Sequence, residues 1–466
     1  MTQDAVPPAP GILPPSVFAG RNYAVLGLAR TGMASIRALC DAGARVLAWD
    51  RDPEARRLAE QLVGNCRGML QVGEIDRYSV AGYDGIVVSP GVPLNRHPIT
   101  EIARVTGVAI IGDIELFAQA RAQLPAHRVA GITGTNGKST TCALLHHLLK
   151  GAGYATRLGG NIGIPVLSTE PLEPNAKGPA IYVFELSSYQ IDITTSLACE
   201  AAAILNVSPD HLDRYDGSFE AYTESKVRLF GMQDARAMAL VDRASLRLPA
   251  VARAMAHRSP IVIEDVSLPG RPEDWPSLQG PHNRGNAAAA VAIARRFGVE
   301  ESDIETGLKS FRGLPHRMER VGEIAGVAFV NDSKATNPAS TAPALAAFPP
   351  ENGRPRIHWI VGGLPKGDTL GECEAMLGHV AAAYTIGEAG PMFSRLLEGR
   401  VPVQRSEMMG EAVRAAAEAA QPGDVVLLSP ACASFDQFRD YEKRGEAFAS
   451  LVAMLADGGS PEEGQS

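Results

Sequence analysis

Aromatic residues are scarce, at 6% of the chain, and neither sign of charge runs to a long block. Lysine and arginine number 44 against 52 aspartates and glutamates, a formal charge of −8. Broad nucleic-acid binding needs basic surface that displaces counterions, so that class is excluded and no nucleic-acid partner is expected. Small anionic substrates stay open, because local groups rather than net charge hold them. The six cysteines (Cys40, Cys66, Cys142, Cys199, Cys373 and Cys432) form no CxxC pair and no His/Cys cluster at zinc spacing. That predicts a reducing, cytoplasmic setting and no structural zinc. No run approaches about 18 uninterrupted apolar residues, so no membrane span is expected. The Pro-rich first twenty residues lack the basic start and apolar core of a secretory signal. They read as a loose extension, and residues 457–466 (DGGSPEEGQS) as a disordered tail.

What the chain does have is length and alternation. At 466 residues it exceeds one ordinary hydrophobic core, so two to four domains are expected. Apolar strand-like runs alternate with helical stretches, the α/β signature. Residues 1–111 contain strands at Tyr23–Gly27, Arg45–Trp49 and Gly85–Val88, with a helix over Met33–Ala42. Residues 112–313 contain His127–Thr133, a helix through Lys150, strands at Ala180–Glu185 and Ala201–Asn206, and an Ala-rich helix over Asn286–Phe297. Residues 314–466 contain strands at Ile357–Val361, Ala383–Ile386 and Val425–Leu428.

The strongest motif is Gly134-Thr135-Asn136-Gly137-Lys138-Ser139-Thr140, between a buried strand and a helix. Glycines let backbone N–H groups curl around an anion, and the helix N-terminus adds partial positive charge. Lys138 can reach outer phosphates and Ser139 can offer an oxygen to magnesium. The competing reading, a glycine turn with an incidental lysine, fails because strand, loop and helix occur in order. The strict pattern wants glycine where Ile132 stands, so the loop is a variant.

Glu185 and His211 follow two further strand ends, where open α/β sheets place ligand groups. Alone, each reads as an ordinary loop residue; together beside a phosphate loop they suit magnesium. Lys226 lies four residues after Tyr222 and seven after Phe219, on one helical face. It is either a stem reaching to water or a buried cation in need of a partner. In the first section, Gly27-Leu28-Ala29-Arg30-Thr31-Gly32 with Asp50 at the next strand end approaches the dinucleotide fingerprint. Ala29 replaces its middle glycine, which makes a nicotinamide oxidoreductase the runner-up.

The GTNGKST loop resembles that of the Mur ligases and folylpolyglutamate synthases, three-domain amide-forming enzymes. NDSKATN (Asn331–Asn337) is similar to a segment of that family, and SPACASxDQF (Ser429–Phe438) to one of its D-glutamate-adding branch. The resemblance implies a Rossmann-like UDP-binding domain, a central P-loop ATPase-like domain and a C-terminal Rossmann-like domain. It implies transfer of ATP's γ-phosphate to the carboxylate of UDP-N-acetylmuramoyl-L-alanine, then attack by the D-glutamate amine, with two magnesium ions. It further implies a carbamylated Lys226 at a second magnesium. Nucleotide contacts would come from the Lys138 loop, Asn283, Asn286, Arg317 and Asp332. Arg30, Thr31, Asp50, Arg51, Gly91, Asn161 and His211 would meet the UDP substrate. Thr336, Lys366, Ser434, Phe435 and Tyr441 would meet D-glutamate. Asp368 stands one place nearer Lys366 than the family's lysine loop usually has it. Closure of the third domain is expected to complete the ATP site, and a monomer is expected. A sister ligase adding another amino acid and a non-catalytic nucleotide-binding regulator are the other readings.

Overall fold

The computed structural model describes residues 11–62, 67–275, 277–365 and 367–458. These divide into two compact units, 11–269 with 285–307, and 270–284 with 308–458.

The first unit holds two parallel sheets. One contains β1 (Asn22–Leu26), β2 (Arg45–Trp49), β3 (Met69–Val72), β4 (Gly85–Val88) and β5 (Ile110–Ile111), in the order β3-β2-β1-β4-β5. The direction of winding reverses between β1 and β4, which opens a crevice at their carboxyl ends. The other contains β6 (His127–Thr133), β7 (Thr156–Gly160), β8 (Ala180–Glu185), β9 (Ala201–Ile204), β10 (Met238–Val241) and β11 (Ile261–Val262). Its order, β11-β10-β9-β6-β8-β7, sets β6 between β9 and β8. All six residues of β8 and all four of β9 are buried, as expected of parallel strands covered on both faces. One core cluster runs through both sheets, from Phe18 and Tyr23 to Phe117, Tyr182, Phe184 and Leu229.

The second unit holds a mixed sheet of β12 (Glu319–Ile324), β13 (Val327–Asn331), β14 (Ile357–Gly362), β15 (Val380–Ile386), β16 (Val403–Glu407) and β17 (Val425–Leu428). The order is β12-β13-β17-β14-β15-β16, parallel except for the antiparallel edge strand β12. β12 is polar (ERVGEI), has no fully buried residue and carries a register shift at Arg320/Gly322. Such features blunt an open edge against unwanted strand pairing.

Three expectations change. Ile12, Leu13 and Phe18 are buried, and Phe18 packs on Tyr23 at 6.1 Å, so residues 11–20 are tied to the core through these three side chains rather than loose. Residues 1–10 and 459–466 lie outside the described residues. The strand expected to reach Asn206 stops at Ile204, because Asn206 turns to brace the neighbouring loop. The Ala-rich helix starts at Pro281, not Asn286, with proline where a helix needs no N–H donor. The five described cysteines are buried; Cys66 lies outside the described residues. Among the described residues no helix is long and apolar enough to cross a membrane.

Candidate active site

Sheet order explains what gathers around the phosphate loop. The loop leaves the carboxyl end of β6, with the ends of β9 and β8 on either side. Gly134 has φ +147, and a Cβ there would press on the Asn206 backbone at 3.2 Å. Gly137 has φ +84 and opens the Lys138–Gly151 helix; a side chain there would collide with the Asn286 amide. Both glycines are thus required by conformation and by space.

Asn206, after β9, fixes the loop's middle. Its carbonyl accepts from Thr135 N at 2.9 Å, and its side chain exchanges two bonds with the backbone of Asn136, at 2.8 and 3.0 Å. Thr135 Oγ1 bonds the backbone of Ser208 and meets the Tyr222 hydroxyl at 3.1 Å. Lys138 Nζ folds over the loop, donating to the carbonyls of Gly134 and Thr135 at 2.9 and 2.7 Å. Ser139 is buried on the first turn of the helix and Thr140 half-buried beside it.

Glu185 ends β8 and is 2% exposed. Its Oε1 accepts from Asn161 Nδ2 at 3.0 Å, while Oε2 is buried with no hydrogen-bond partner. A buried carboxylate oxygen left without a donor is costly and suits a cation. Asn161 is therefore set beside Glu185, its own N–H donating to the Glu185 carbonyl at 2.8 Å.

Lys226 is the inward cation its spacing allowed, 2% exposed on the Phe219–Gly231 helix. Its Nζ donates to the Gly134 carbonyl at 3.0 Å and lies 4.5 Å from the centre of the Tyr222 ring. Burial, reinforced by the Lys138 charge, pushes its pKa down to about 7 against the opposing pull of Asp210 and Asp192. Lys138 and Lys226 thus reach the same carbonyl oxygen.

His211 differs: it is exposed, in a left-handed conformation (φ 51), with Nε2 3.6 Å from Asp210 and its ring 5.5 Å from Tyr189. No group of three or more His, Cys, Asp or Glu side chains poised for a metal occurs among the described residues. The orphaned oxygen of Glu185 and the buried Ser139 are the features that fit magnesium.

In the first sheet, Arg30 and Thr31 open the Arg30–Asp41 helix at the β1 carboxyl end. Asp50, after β2, is spent on the chain itself: its oxygens accept from Leu28 N at 2.6 Å and Asp52 N at 2.9 Å. It shapes the Gly27 turn. Arg30, Arg51 and Gly91 are exposed around the same strand ends.

The second unit carries Asn283, Arg317, Asp332, Thr336, Ser434, Phe435 and Tyr441. Lys366 lies outside the described residues. Asn283 is buried and donates to the Gln279 carbonyl at 2.9 Å. Arg317 is half-buried, between His316 and Met318, both at positive φ. Asp332, at the β13 end, accepts from Ser429 Oγ at 2.7 Å and Met318 N at 3.2 Å. Burial pushes its carboxyl up to about 7 despite those donors. Ser434 is buried, Thr336 and Tyr441 half-buried, and Phe435 is 69% exposed, an unusual position for a large apolar ring.

Residue typing alone missed Arg444. It is 1% exposed on the Tyr441–Ala456 helix and donates to Ser333 Oγ and O and to the carbonyls of Cys432 and Ala433, at 2.8–3.1 Å. It ties the loop after β13 to the loop after β17. Desolvation lowers its pKa to about 10, so it stays charged at neutral pH. Three family models match these sheets in turn: "Mur ligase MurD-like, N-terminal domain" over 21–112, "Mur ligase middle domain" over 132–264, and "Mur ligase, glutamate ligase domain" over 316–432.

The chain belongs to the Mur ligase family. It is 58% identical over 444 residues to the UDP-N-acetylmuramoylalanine–D-glutamate ligase of Novosphingobium aromaticivorans, covering 94% of this chain and 96% of that one. The enzyme of the same name from Sphingopyxis alaskensis is 53% identical, with 94% and 98% covered. Among solved structures, the UDP-N-acetylmuramate–alanine ligase of Thermotoga maritima matches with a TM-score of 0.54 at 16% identity, covering 93% of this chain and 99% of that one. That likeness concerns fold: the Mur arrangement of N-terminal, middle and C-terminal α/β domains.

Proposed function

We propose that this Mur ligase joins D-glutamate to UDP-N-acetylmuramoyl-L-alanine, with ATP as the driving co-substrate. The carrying observation is the braced loop of Gly134–Thr140 with two lysines converging on one of its carbonyls, in a chain 58% identical to a ligase of that name.

In the first step the γ-phosphorus leaves the ADP oxygen and bonds to a carboxylate oxygen of the L-alanyl group. In the second, the D-glutamate nitrogen attacks the acyl carbon, the bond to the phosphate oxygen breaks, and phosphate departs as the amine loses its proton. Both steps gather negative charge on phosphoryl oxygens, so fixed positive groups contribute most. Lys138 would turn from its loop carbonyls to the β/γ-phosphate oxygens. The first-turn N–H groups around Ser139 and Thr140 would hold the anion. Ser139 and Glu185, through its orphaned oxygen, would hold magnesium, which when bound neutralises phosphate charge. His211, Arg30, Thr31, Arg51, Gly91 and Asn161 are assigned to the UDP-linked acceptor; Asp50 would act by holding the Gly27 turn. Asn283, Arg317 and Asp332 are assigned to the nucleotide, and Thr336, Lys366, Ser434, Phe435 and Tyr441 to D-glutamate.

Lys226 is the natural site for a carbamate. Its near-neutral amine can attack carbon dioxide, forming an N–C bond and releasing a proton, which replaces an inward cation by an inward anion. A second magnesium would then have a ligand. A monomeric enzyme working in the cytoplasm, where ATP is supplied, completes this reading.

Phosphate release with the UDP-linked acceptor present tests the reading. Stimulation by D-glutamate supports it; stimulation by L-alanine or diaminopimelate instead would assign the chain to a sister reaction. Electron density at Lys226 Nζ tests the carbamate, and a bare amine in the substrate-bound enzyme rules it out.

A further inference from the structure

Two of the assigned acceptor residues, Gly91 and His211, lie on separate loops that the chain must hold in register. One follows β4 and contains Ser89, Gly91 and Val92. The other follows β9 and contains Asp210, His211, Asp213 and Arg214. Ser89 Oγ donates to the Gly27 carbonyl at 2.7 Å, which fastens the first loop to the turn that opens the Arg30 helix. The second loop bends twice through left-handed residues, His211 and Asp216, both at φ 51. Bends of that kind persist only when surrounding contacts hold them.

The holding contacts come from Arg214. Its guanidinium donates to the Val92 carbonyl at 3.0 Å and the Gly91 carbonyl at 3.3 Å. On its other side it lies 4.6 Å from the centre of the Tyr189 ring. Tyr189 stacks on Tyr215 at 6.2 Å and meets His211 edge-on at 5.5 Å. A parallel strut, Asn95 Nδ2 to the Asp213 carbonyl at 2.8 Å, lies beside it. Tyr215 is anchored in turn through its hydroxyl to Asp192 and Ser225. Ser89, Asn95, Tyr189, Asp192 and Arg214 are among the residues that line a partly open cavity of about 60 Å³.

We infer that Arg214 is a positioning residue that clamps the Ser89–Val92 loop to the His211 loop and thereby sets the distance between the two ends of the UDP-linked acceptor. This rests on the acceptor assignment above. A guanidinium suits the task because its planar fork donates to two adjacent carbonyls while its face stays free to stack. Neither interaction involves the phosphate loop, which is held instead through Asn206, Ser208, Tyr222 and Lys226. The clamp therefore bears on the acceptor more than on ATP.

The experiment is steady-state phosphate release on the full chain, for the wild type, Arg214→Ala, Arg214→Lys and Asn95→Ala. Two charge-assisted bonds and a cation–π contact place the expected effect of Arg214→Ala at roughly a ten- to hundred-fold rise in acceptor KM. KM for ATP and for D-glutamate should stay within about two-fold. Lysine keeps the charge but not the fork, so Arg214→Lys should fall between. Asn95→Ala should raise the same KM, and its combination with Arg214→Ala should cost less than the product of the two, as for groups sharing one function. A uniform fall in kcat with acceptor KM unchanged would overturn the clamp, as would equal rises in all three KM values. Should Arg214→Ala not fold, Arg214→Lys and Asn95→Ala carry the decision. Absence of D-glutamate-dependent release in the wild type would instead overturn the proposed function, so the two failures are distinguishable.

Discussion

Asn206 shows how a single amide can decide the shape of a loop it does not belong to. Its three bonds to Thr135 and Asn136 come from the neighbouring strand end, 70 residues further along. Asn206→Ala would remove the two side-chain bonds, each worth about 1 kcal/mol net. KM for ATP should rise roughly ten- to thirty-fold, while thermal stability moves by no more than a few degrees. Asn206→Asp can still accept from Asn136 N but cannot donate to its carbonyl, so it should fall between. An unchanged KM for ATP in Asn206→Ala would show that the loop holds its shape unaided. The sequence made Asn206 visible only as the polar end of an apolar run. Its bonding to Asn136 depends on β9 lying beside β6, and no local pattern encodes that neighbourhood.

Strand ends do the same at the scale of elements. In the second unit, the loops after β13 and β17 are held by Arg444, which comes from a helix rather than from either loop. Truncation to glutamine would leave several buried carbonyls without donors, at about 1–3 kcal/mol for each one left unsatisfied. Arg444→Gln should therefore lower the melting temperature of the enzyme and raise KM for D-glutamate. Arg444→Lys, keeping one or two of the four bonds, should do less of both. Circular dichroism melts with D-glutamate titration would check this, and a stable variant with unaltered D-glutamate response would refute it. β6 and β8 match the sequence reading residue for residue, because a buried parallel strand is a continuous apolar run between turn residues. The Ala-rich helix was legible, yet its start was not: His282-Asn283-Arg284-Gly285-Asn286 looks like a cap, and Pro281 overrides it as the first helical residue. Arg444 was hidden for a different reason. An arginine among Glu442, Lys443 and Glu446 reads as surface until the three-dimensional fold buries it.

Across the whole molecule, pH should reach stability through a group remote from the phosphate loop. Asp113 begins the Asp113–Ala120 helix, is buried, and has an Oδ1 without a partner. Desolvation raises its pKa to about 6, outweighing the helix N-terminus and the backbone donors that favour the charged form. A carboxyl raised in the folded state supports stability below its unfolded pKa, near 4, and that support is lost as pH rises through about 6. Two pKa units correspond to about 3 kcal/mol at most. Asp113→Asn, neutral throughout, should therefore gain stability relative to the wild type between about pH 4 and pH 7, as read by denaturant unfolding. A constant difference across that range would remove Asp113 as the source. The three-sheet plan itself was legible from alternation and motif order. The packing of residues 11–20 was not, because five prolines among the first fifteen residues mask the apolar Ile12, Leu13 and Phe18.

The Asn206 brace also has a consequence in time. Asn136 is solvent-exposed, and amides on exposed loops ordinarily trade their hydrogen for deuterium within moments. Here the Thr135 and Asn136 amides are bonded to Asn206, two residues beyond the end of β9, so they can open only when that segment lets go. The tip of the loop should thus keep the slow clock of the sheet beneath it, with or without nucleotide.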